Sequence, residues 1–180
     1  AAREADLDTR VHVVCFGAEE VGLCGSSYDS EQRDLETVTA VLNNDGNGRA
    51  RDLSFVTNGF EDLDAVVETV AARLDHPLEP IPQLGPNSDH WPYVQRGVPG
   101  TQVISDTGDE GRGWGHTRAD TLDKLDSRDI REQAIVLTEL TVELASDEVG
   151  IGRRDPEAIA AQLEDEDLAE GMRLIGDWPY

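Results

Sequence analysis

Short apolar runs alternate with amphipathic stretches along most of the chain, and their spacing predicts the secondary structure. Residues 11–16, 37–42 and 53–57 are apolar runs that end at turn-forming residues, which is typical of strands. The first of these runs predicts a buried strand, with Cys15 as a small buried hydrophobe. From residue 60 the period becomes helical, and one apolar face is formed by Phe60, Leu63, Val66, Val67, Val70 and Leu74.

Proline and polar residues divide the middle of the chain. Prolines at 77, 80, 82 and 86 predict a connection without regular structure. Ser88 is predicted to N-cap a short helix to about Arg96, and residues 101–105 form the next predicted strand. A glycine-rich loop follows over residues 107–115, and Ser127 is predicted to cap a long helix to about residue 145.

Strands that alternate with helices predict an α/β fold, a three-layer sandwich around a mixed, mainly parallel sheet. Residues 1–148 are assigned to this domain. Residues 149–180 have their own helical pattern, with apolar positions at Ile159, Leu163, Leu168, Met172 and Ile175 and many carboxylates between them. We therefore predict an acidic helical appendage at this end of the chain.

The charge of the chain excludes several function classes. Its 180 residues carry a formal charge of −23, because 38 acidic residues face only 15 basic ones. Such a field disfavours nucleic acid and anionic membranes, and no apolar run is long enough to span a bilayer. Lys124 is the one lysine. A carboxylate surface with almost no lysine resembles proteins of extreme halophiles; an acidic protein of a low-salt organism is the alternative. Without a targeting segment, a cytoplasmic location is expected.

Three polar groups stand where chemistry is expected, on loops that follow predicted strands. They are the pair Glu19 and Glu20, then Asp45 in an Asn/Gly-rich turn, and His116 after the glycine-rich loop. Each alone is better explained as a solvated surface group or a turn residue. Together they are oxygen and nitrogen ligands that suit zinc, with Glu19 beside them as a general base.

Four motifs in order resemble the dinuclear zinc exopeptidases, the family of the bacterial leucyl aminopeptidases, glutamate carboxypeptidase II and the glutaminyl cyclases. The motifs are the glutamate pair within residues 16–26, the Asn/Gly-rich turn with Asp45, Ser88-Asp89-His90 followed by residues 97–99, and His116-Thr117 followed by residues 120–123. The resemblance covers about residues 11–145 and implies the family's fold, peptide substrates and two zinc ions in the complete protein.

The resemblance also implies a role for each site residue. Glu19 would be the general base, Glu20 and His116 would bind one zinc, and Asp45 would bind the other. Asp89 would be a buried carboxylate that orients the site, the alternative being an acid at a helix N-terminus. His90, His12 and His76 are interpreted as structural. Trp114 is a tentative wall of the substrate pocket.

Two departures from the family pattern change the expectation for this chain. The family has a further histidine and a bridging aspartate ahead of the glutamate pair, and no His-x-Asp precedes Glu19 here. Gly115 stands where family aminopeptidases often have tyrosine. We therefore expect the later part of a catalytic domain, truncated at its N-terminal side, which binds at most one zinc and is itself inactive.

Three functions are compatible with these residues. A metal-dependent exopeptidase, most simply an aminopeptidase that uses metal-activated water, is the leading hypothesis. A glutaminyl cyclase-like transferase uses the same scaffold, and fold similarity does not separate the two reactions. The third is a non-catalytic acidic module that keeps the fold.

Overall fold

The computed structural model describes residue 7 and residues 9–111, 113–146 and 149–180. Its strands are β1 (Val41–Asn44), β2 (Leu53–Val56), β3 (Leu78–Ile81) and β4 (Gly100–Ser105). Its α-helices are α1 (Cys24–Gln32), α2 (Glu61–Leu74), α3 (Trp91–Val94), α4 (Ser127–Leu144), α5 (Pro156–Asp165) and α6 (Ala169–Ile175). Single 3-10 turns lie at Leu35–Thr37, Gly108–Glu110 and Leu122–Lys124. The predicted limit between residues 148 and 149 adjoins residues outside this description.

The four strands form one mixed sheet in the order β1-β4-β2-β3. β1 runs parallel to β4 and β2 parallel to β3, whereas β2 and β4 are antiparallel. Helices α2 and α4 cover the sheet with buried side chains, and with it they form a core cluster: Leu53, Phe55, Val66, Val67, Val70, Val103, Val136 and Leu140. The predicted α/β fold with a mixed, mainly parallel sheet is confirmed.

Side chains from α2, α3, α5 and α6, and from residues next to them, form a second core cluster. Its buried members are Phe60, Leu63, Leu84, Trp91, Val94, Ile159, Leu163, Ala169 and Met172. The segment predicted as an acidic helical appendage thus forms two helices, and their apolar sides share this cluster with residues of the α/β domain. No helix within the described ranges is long and apolar enough to cross a membrane.

The prediction of a buried strand at residues 11–16 is wrong. These residues form no strand, Val13 is 90% exposed, and Cys15 is an exposed free thiol. The reason is the lack of a partner: no neighbouring strand of the described residues bonds to this backbone, and an apolar sequence alone does not make a sheet. Consequently Glu19 and Glu20 follow a segment without regular secondary structure rather than a strand.

The prediction of an irregular proline-rich connection is wrong at its start, where residues 78–81 form β3. Pro80 is tolerated there because β3 is the edge strand of the sheet, where a missing N–H need not pair. The second predicted strand is shifted as well. Residues 35–37 form a 3-10 turn, and the strand is Val41–Asn44.

Both predicted serine N-caps are wrong. The short helix α3 begins at Trp91, and the Ser88 hydroxyl bonds to Asp45 rather than to a helix N–H. The long helix α4 is capped by Asp126, whose carboxylate accepts from the N–H of Arg128. Asp126 thus takes the role that the sequence pattern assigned to Ser127, whereas the N-cap residue of α3, His90, makes no side-chain bond to the helix.

Candidate functional site

The loop that carries the glutamate pair is a tight turn leading into α1. The carbonyl of Glu19 accepts hydrogen bonds from the N–H groups of Gly22, at 3.0 Å, and Leu23, at 2.9 Å. Gly25 fits closely here, since a Cβ at this position would lie 2.6 Å from the carbonyl oxygen of Gly17. The turn leaves the Glu19 side chain half-buried and that of Glu20 exposed.

His116 approaches this turn from the glycine-rich loop that follows β4. Its Nδ1 atom lies 3.3 Å from Oε2 of Glu20. The residue has a left-handed backbone, with φ of 62°, inside a turn in which the Thr117 hydroxyl donates to the carbonyl of Trp114 at 2.6 Å. The fold therefore brings together one carboxylate and one imidazole that are distant in sequence.

Asp45 lies directly after β1, in the third loop that contributes a residue to the site. Its backbone N–H donates to the carbonyl of Val103 at 3.3 Å, which continues the pairing of β1 with β4. Its Oδ2 accepts a hydrogen bond from the Ser88 hydroxyl at 2.8 Å, and Asn43 Nδ2 donates to the same hydroxyl oxygen at 2.7 Å. Ser88 is fully buried, so this chain of bonds orients an exposed carboxylate from inside the fold.

The charges of the other candidate site residues change the pKa of the Glu19 carboxyl group. Partial burial raises the pKa of its carboxyl group above the usual value, and the negative charges of Asp45, Glu20 and Asp89 raise it further, while His116 opposes them. Three carboxylates and one imidazole thus act on the carboxyl group of Glu19. The resulting excess of negative charge favours a bound cation.

Asp89 and His90 adjoin Ser88 and are unusual for buried polar residues. Asp89 Oδ1 and both ring nitrogens of His90 are buried without a hydrogen-bond partner among the described residues. Burial lowers the pKa of His90 to about 3, so its ring is neutral at physiological pH. A neutral, fully enclosed ring agrees with the structural role expected for His90. Asp89 remains a predicted orienting residue.

Trp114 stands two residues before His116 and is 58% exposed. The ammonium group of Lys124 lies 5.5 Å from the centre of its ring and donates to the carboxylate of Asp123 at 2.9 Å. This contact holds one face of the indole ring, and the tentative role as a pocket wall stays a prediction.

The chemistry of the donor atoms suits zinc, but the described residues do not form a complete set of ligands. Carboxylates and an imidazole are typical zinc ligands, and Glu20 and His116 already face each other. However, no three His, Cys, Asp or Glu side chains in the described part of the chain lie close enough to form a metal-binding group. The structure therefore brings Glu20 and His116 together and does not place Asp45 in one ligand cluster with them.

Sequence reasoning missed the contribution of Asn43 and the true partner of Ser88. The signal was present in the spacing: Asn43 and Asp45 are two residues apart, so in an extended segment both point to the same side of the sheet. The sequence pattern predicts Ser88 as a helix N-cap and Asp89 as a residue that orients the site. Because both residues are polar, the sequence does not indicate that their side-chain atoms are buried.

Comparisons with known proteins identify the fold and the family. The model of peptidase family M28 matches residues 1–141. BSAP, a zinc aminopeptidase from Bacillus subtilis, is 23% identical with a TM-score of 0.65, over 77% of this chain and 37% of BSAP. The aminopeptidase from Aneurinibacillus sp. strain AM-1 is 26% identical with a TM-score of 0.52, over 76% of this chain and 32% of that protein.

The LapA aminopeptidase of Legionella pneumophila is 20% identical with a TM-score of 0.61, over 73% of this chain and 38% of LapA. A search of curated proteins gives no significant match. The chain thus spans less than two fifths of the length of each of these solved aminopeptidases.

Proposed function

The chain belongs to peptidase family M28, and on that premise we propose that it forms one side of the active site of a zinc-dependent aminopeptidase. The observation that carries the proposal is the contact between Glu20 and His116, at 3.3 Å, beside the half-buried Glu19. The activity is proposed for the whole protein, because the chain spans only 37% of the length of BSAP.

Glu20 and His116 would hold one zinc ion, and Asp45 would contribute to a second together with ligands from outside these 180 residues. When bound, zinc supplies a Lewis acid that activates water and polarises the scissile carbonyl. The chain's own residues have the remaining tasks of orientation and proton transfer. Ser88 holds one oxygen of Asp45, and among the described residues no hydrogen bond reaches the other oxygen, which leaves it free for a ligand.

Glu19 is proposed as the general base. Its carboxylate would lie beside the metal ligands without being one of them, and the charges of Glu20, Asp45 and His116 act on it. A carboxylate there accepts a proton from the attacking water and delivers it to the leaving amine. The proton therefore leaves with the departing peptide fragment. Exposed carboxylates around the site would attract the positively charged N-terminus of a peptide, which favours an aminopeptidase over other exopeptidases.

The proposal is tested by hydrolysis of leucine 4-nitroanilide and of its N-acetyl form, with added zinc in concentrated KCl. We expect the whole protein to hydrolyse only the substrate with a free amino group. Glu19→Gln should lower kcat by two or more orders of magnitude, the usual contribution of a general base, and should leave zinc content unchanged. Equal hydrolysis of both substrates would exclude an aminopeptidase.

Glu68→Gln is the matched control, since Glu68 is an exposed glutamate on α2 away from the site. It removes the same charge and should retain full activity. A zinc-loaded Glu19→Gln protein with unchanged kcat would show that another group takes the proton.

A further inference from the structure

The last part of the chain lies beyond the family match but inside the core. The family model ends at residue 141, whereas α5 and α6 bury Ile159 and Leu163 completely and leave Ala169 only 1% exposed. These side chains pack in one cluster with Leu84 and Trp91, which stand on either side of Ser88 in the sequence. The C-terminal helices therefore contact the segment that leads to the site.

Hydrogen bonds from α5 hold that segment directly. We call residues 82–90, which run from the end of β3 to α3, the connecting segment. Glu166, just after α5, accepts from the backbone N–H of Leu84 at 2.9 Å, and Gln162 donates to the carbonyl of Pro82 at 3.2 Å. Gln162 also donates to the second oxygen of Glu166 at 2.6 Å, which fixes the carboxylate in place.

Arg154 supplies a second attachment through Asn58. Its guanidinium donates to the carbonyl of Asn58 at 2.5 Å, and the Asn58 side chain accepts from the N–H of Gly85 at 2.9 Å. The Arg154 backbone N–H donates to the carbonyl of Gly97 at 3.1 Å. A Cβ at residue 97 would lie 2.2 Å from the carbonyl oxygen of Arg154, so only glycine permits this approach.

The connecting segment ends in the hydrogen bonds that orient Asp45. Ser88 has one hydroxyl hydrogen, and a carboxylate can only accept, so the hydrogen is directed at Asp45 Oδ2. Asn43 donates to the remaining lone pair of the hydroxyl and fixes this direction. A displacement of the buried Ser88 would therefore change the orientation of Asp45.

We propose that residues 150–180 form a brace that holds the connecting segment and, through Ser88, the carboxylate of Asp45. In this arrangement Glu166 is a positioning residue that acts through the backbone of Leu84. The brace is a property of the fold alone. Its importance for metal binding rests on the proposed function, in which Asp45 is a zinc ligand.

Amide hydrogen exchange and the carboxyl ¹³C signal of Asp45, both measured by NMR on the zinc-free chain, test the brace. Glu166→Ala should accelerate exchange at Leu84 by on the order of tenfold or more, because a hydrogen bond to a charged group is lost. It should also shift the carboxyl ¹³C signal of Asp45 toward the chemical shift that this signal has in the Ser88→Ala chain. Glu166→Gln keeps an acceptor oxygen and should restore most of both values.

Glu164→Ala is the matched control on the same helix. Its carboxylate pairs with Arg173 inside the C-terminal segment and does not bond to the connecting segment. It should leave both readouts unchanged. If Glu166→Ala does not fold, Gln162→Ala removes a weaker bond of the same set and should give a smaller shift in the same direction.

Unchanged exchange at Leu84 in the folded Glu166→Ala chain would overturn the brace. Faster exchange with an unmoved Asp45 signal would overturn the positioning of Asp45. Because zinc is absent from the experiment, neither result depends on the proposed enzyme activity, and a failure of zinc binding would leave the brace intact.

Discussion

The imidazole Nδ1 of His116 lies 3.3 Å from the carboxylate Oε2 of Glu20, although one residue follows β4 and the other precedes α1. Both side chains are largely exposed, with 45% of His116 and 68% of Glu20 accessible. An exposed polar contact of this kind contributes little to stability, and it is compatible with the proposed role of the two groups as metal ligands.

Replacement of Glu19 should stabilise the zinc-free fold. Burial and the neighbouring carboxylates raise the pKa of Glu19 in the folded state, so the folded chain binds its proton more tightly than the unfolded chain does. Stability contributed by the proton is present at low pH and is lost as pH rises through the raised pKa. Glu19→Gln should therefore increase Tm at pH 7 in the presence of a chelator.

The gain should vanish well below pH 4.5, the ordinary pKa of glutamate, where both states are protonated. Glu68→Gln, with the same charge change on an exposed helix face, should show a smaller gain at pH 7. Equal gains in both variants would mean that net charge alone, rather than the local field at Glu19, causes the effect.

Acid should destabilise the fold through His90. Burial without a hydrogen-bond partner among the described residues lowers the pKa of His90 to about 3, against 6.5 for an exposed histidine. Between these pH values His90 is protonated in the unfolded chain and neutral in the folded chain. The free energy of unfolding therefore falls as the pH decreases. The loss should reach up to about 1.4 kcal/mol per pH unit.

Urea unfolding at pH 4 to 7 measures this slope, and His90→Leu, which keeps roughly the same volume, should reduce it. His12→Leu is the control, because His12 is exposed. If the wild-type chain and His90→Leu lose stability in parallel, the buried ring does not control acid sensitivity.

Asp29 should stabilise the contact between α1 and α3. Arg33 donates to both carboxylate oxygens at 2.8 Å and Tyr93 donates its hydroxyl to Oδ2. The bonds from Arg33, followed by that from Tyr93, lower the pKa of Asp29 despite its partial burial. Its contribution is therefore present above pH 3.8 and is lost as pH falls through the lowered pKa.

Asp29→Asn should cost roughly 1–2 kcal/mol at pH 7, allowing for partial exposure, and much less at pH 2. Chemical denaturation at the two pH values measures the difference. Asp165→Asn, at an exposed position of α5, should not destabilise. A cost for Asp29→Asn that is independent of pH would contradict the role of its charge.

The charge of −23 should make the fold dependent on salt. Repulsion between carboxylates opposes the compact state at low ionic strength, and dissolved ions screen it over a Debye length of about 10 Å at 0.1 M and 3 Å at 1 M. We expect Tm to rise markedly between roughly 0.1 and 2 M KCl. A melting temperature unaffected by KCl would contradict the prediction of a halophilic surface.

Elements with a strong internal pattern could be predicted from the sequence. The helical period from Phe60 to Leu74 corresponds to α2, and the apolar runs before Asn58 and Asp106 correspond to β2 and β4. These patterns depend on burial against a core that the chain itself provides.

The remaining elements depend on partners that are distant in sequence. Val13 stands in an apolar, strand-like sequence, but among the described residues no strand pairs with it. Pro80 occurs in a strand because that strand is at the edge of the sheet. Likewise, the Ser88 hydroxyl bonds to Asp45 instead of a helix terminus. The glutamate pair and His116 are candidates from their positions on loops and from the family resemblance, whereas the short distance between Glu20 and His116 depends on the fold.

Zinc binding by the 180-residue chain tests the central claim most directly. Equilibrium dialysis with zinc quantified by mass spectrometry, in concentrated KCl, should give at most one ion per chain. Glu20→Gln and His116→Ala should each weaken binding by at least about tenfold, while Glu19→Gln and Glu68→Gln should retain it. Zinc binding that is equally tight in Glu20→Gln, His116→Ala and the unchanged chain would contradict the assignment of Glu20 and His116 as the metal ligands.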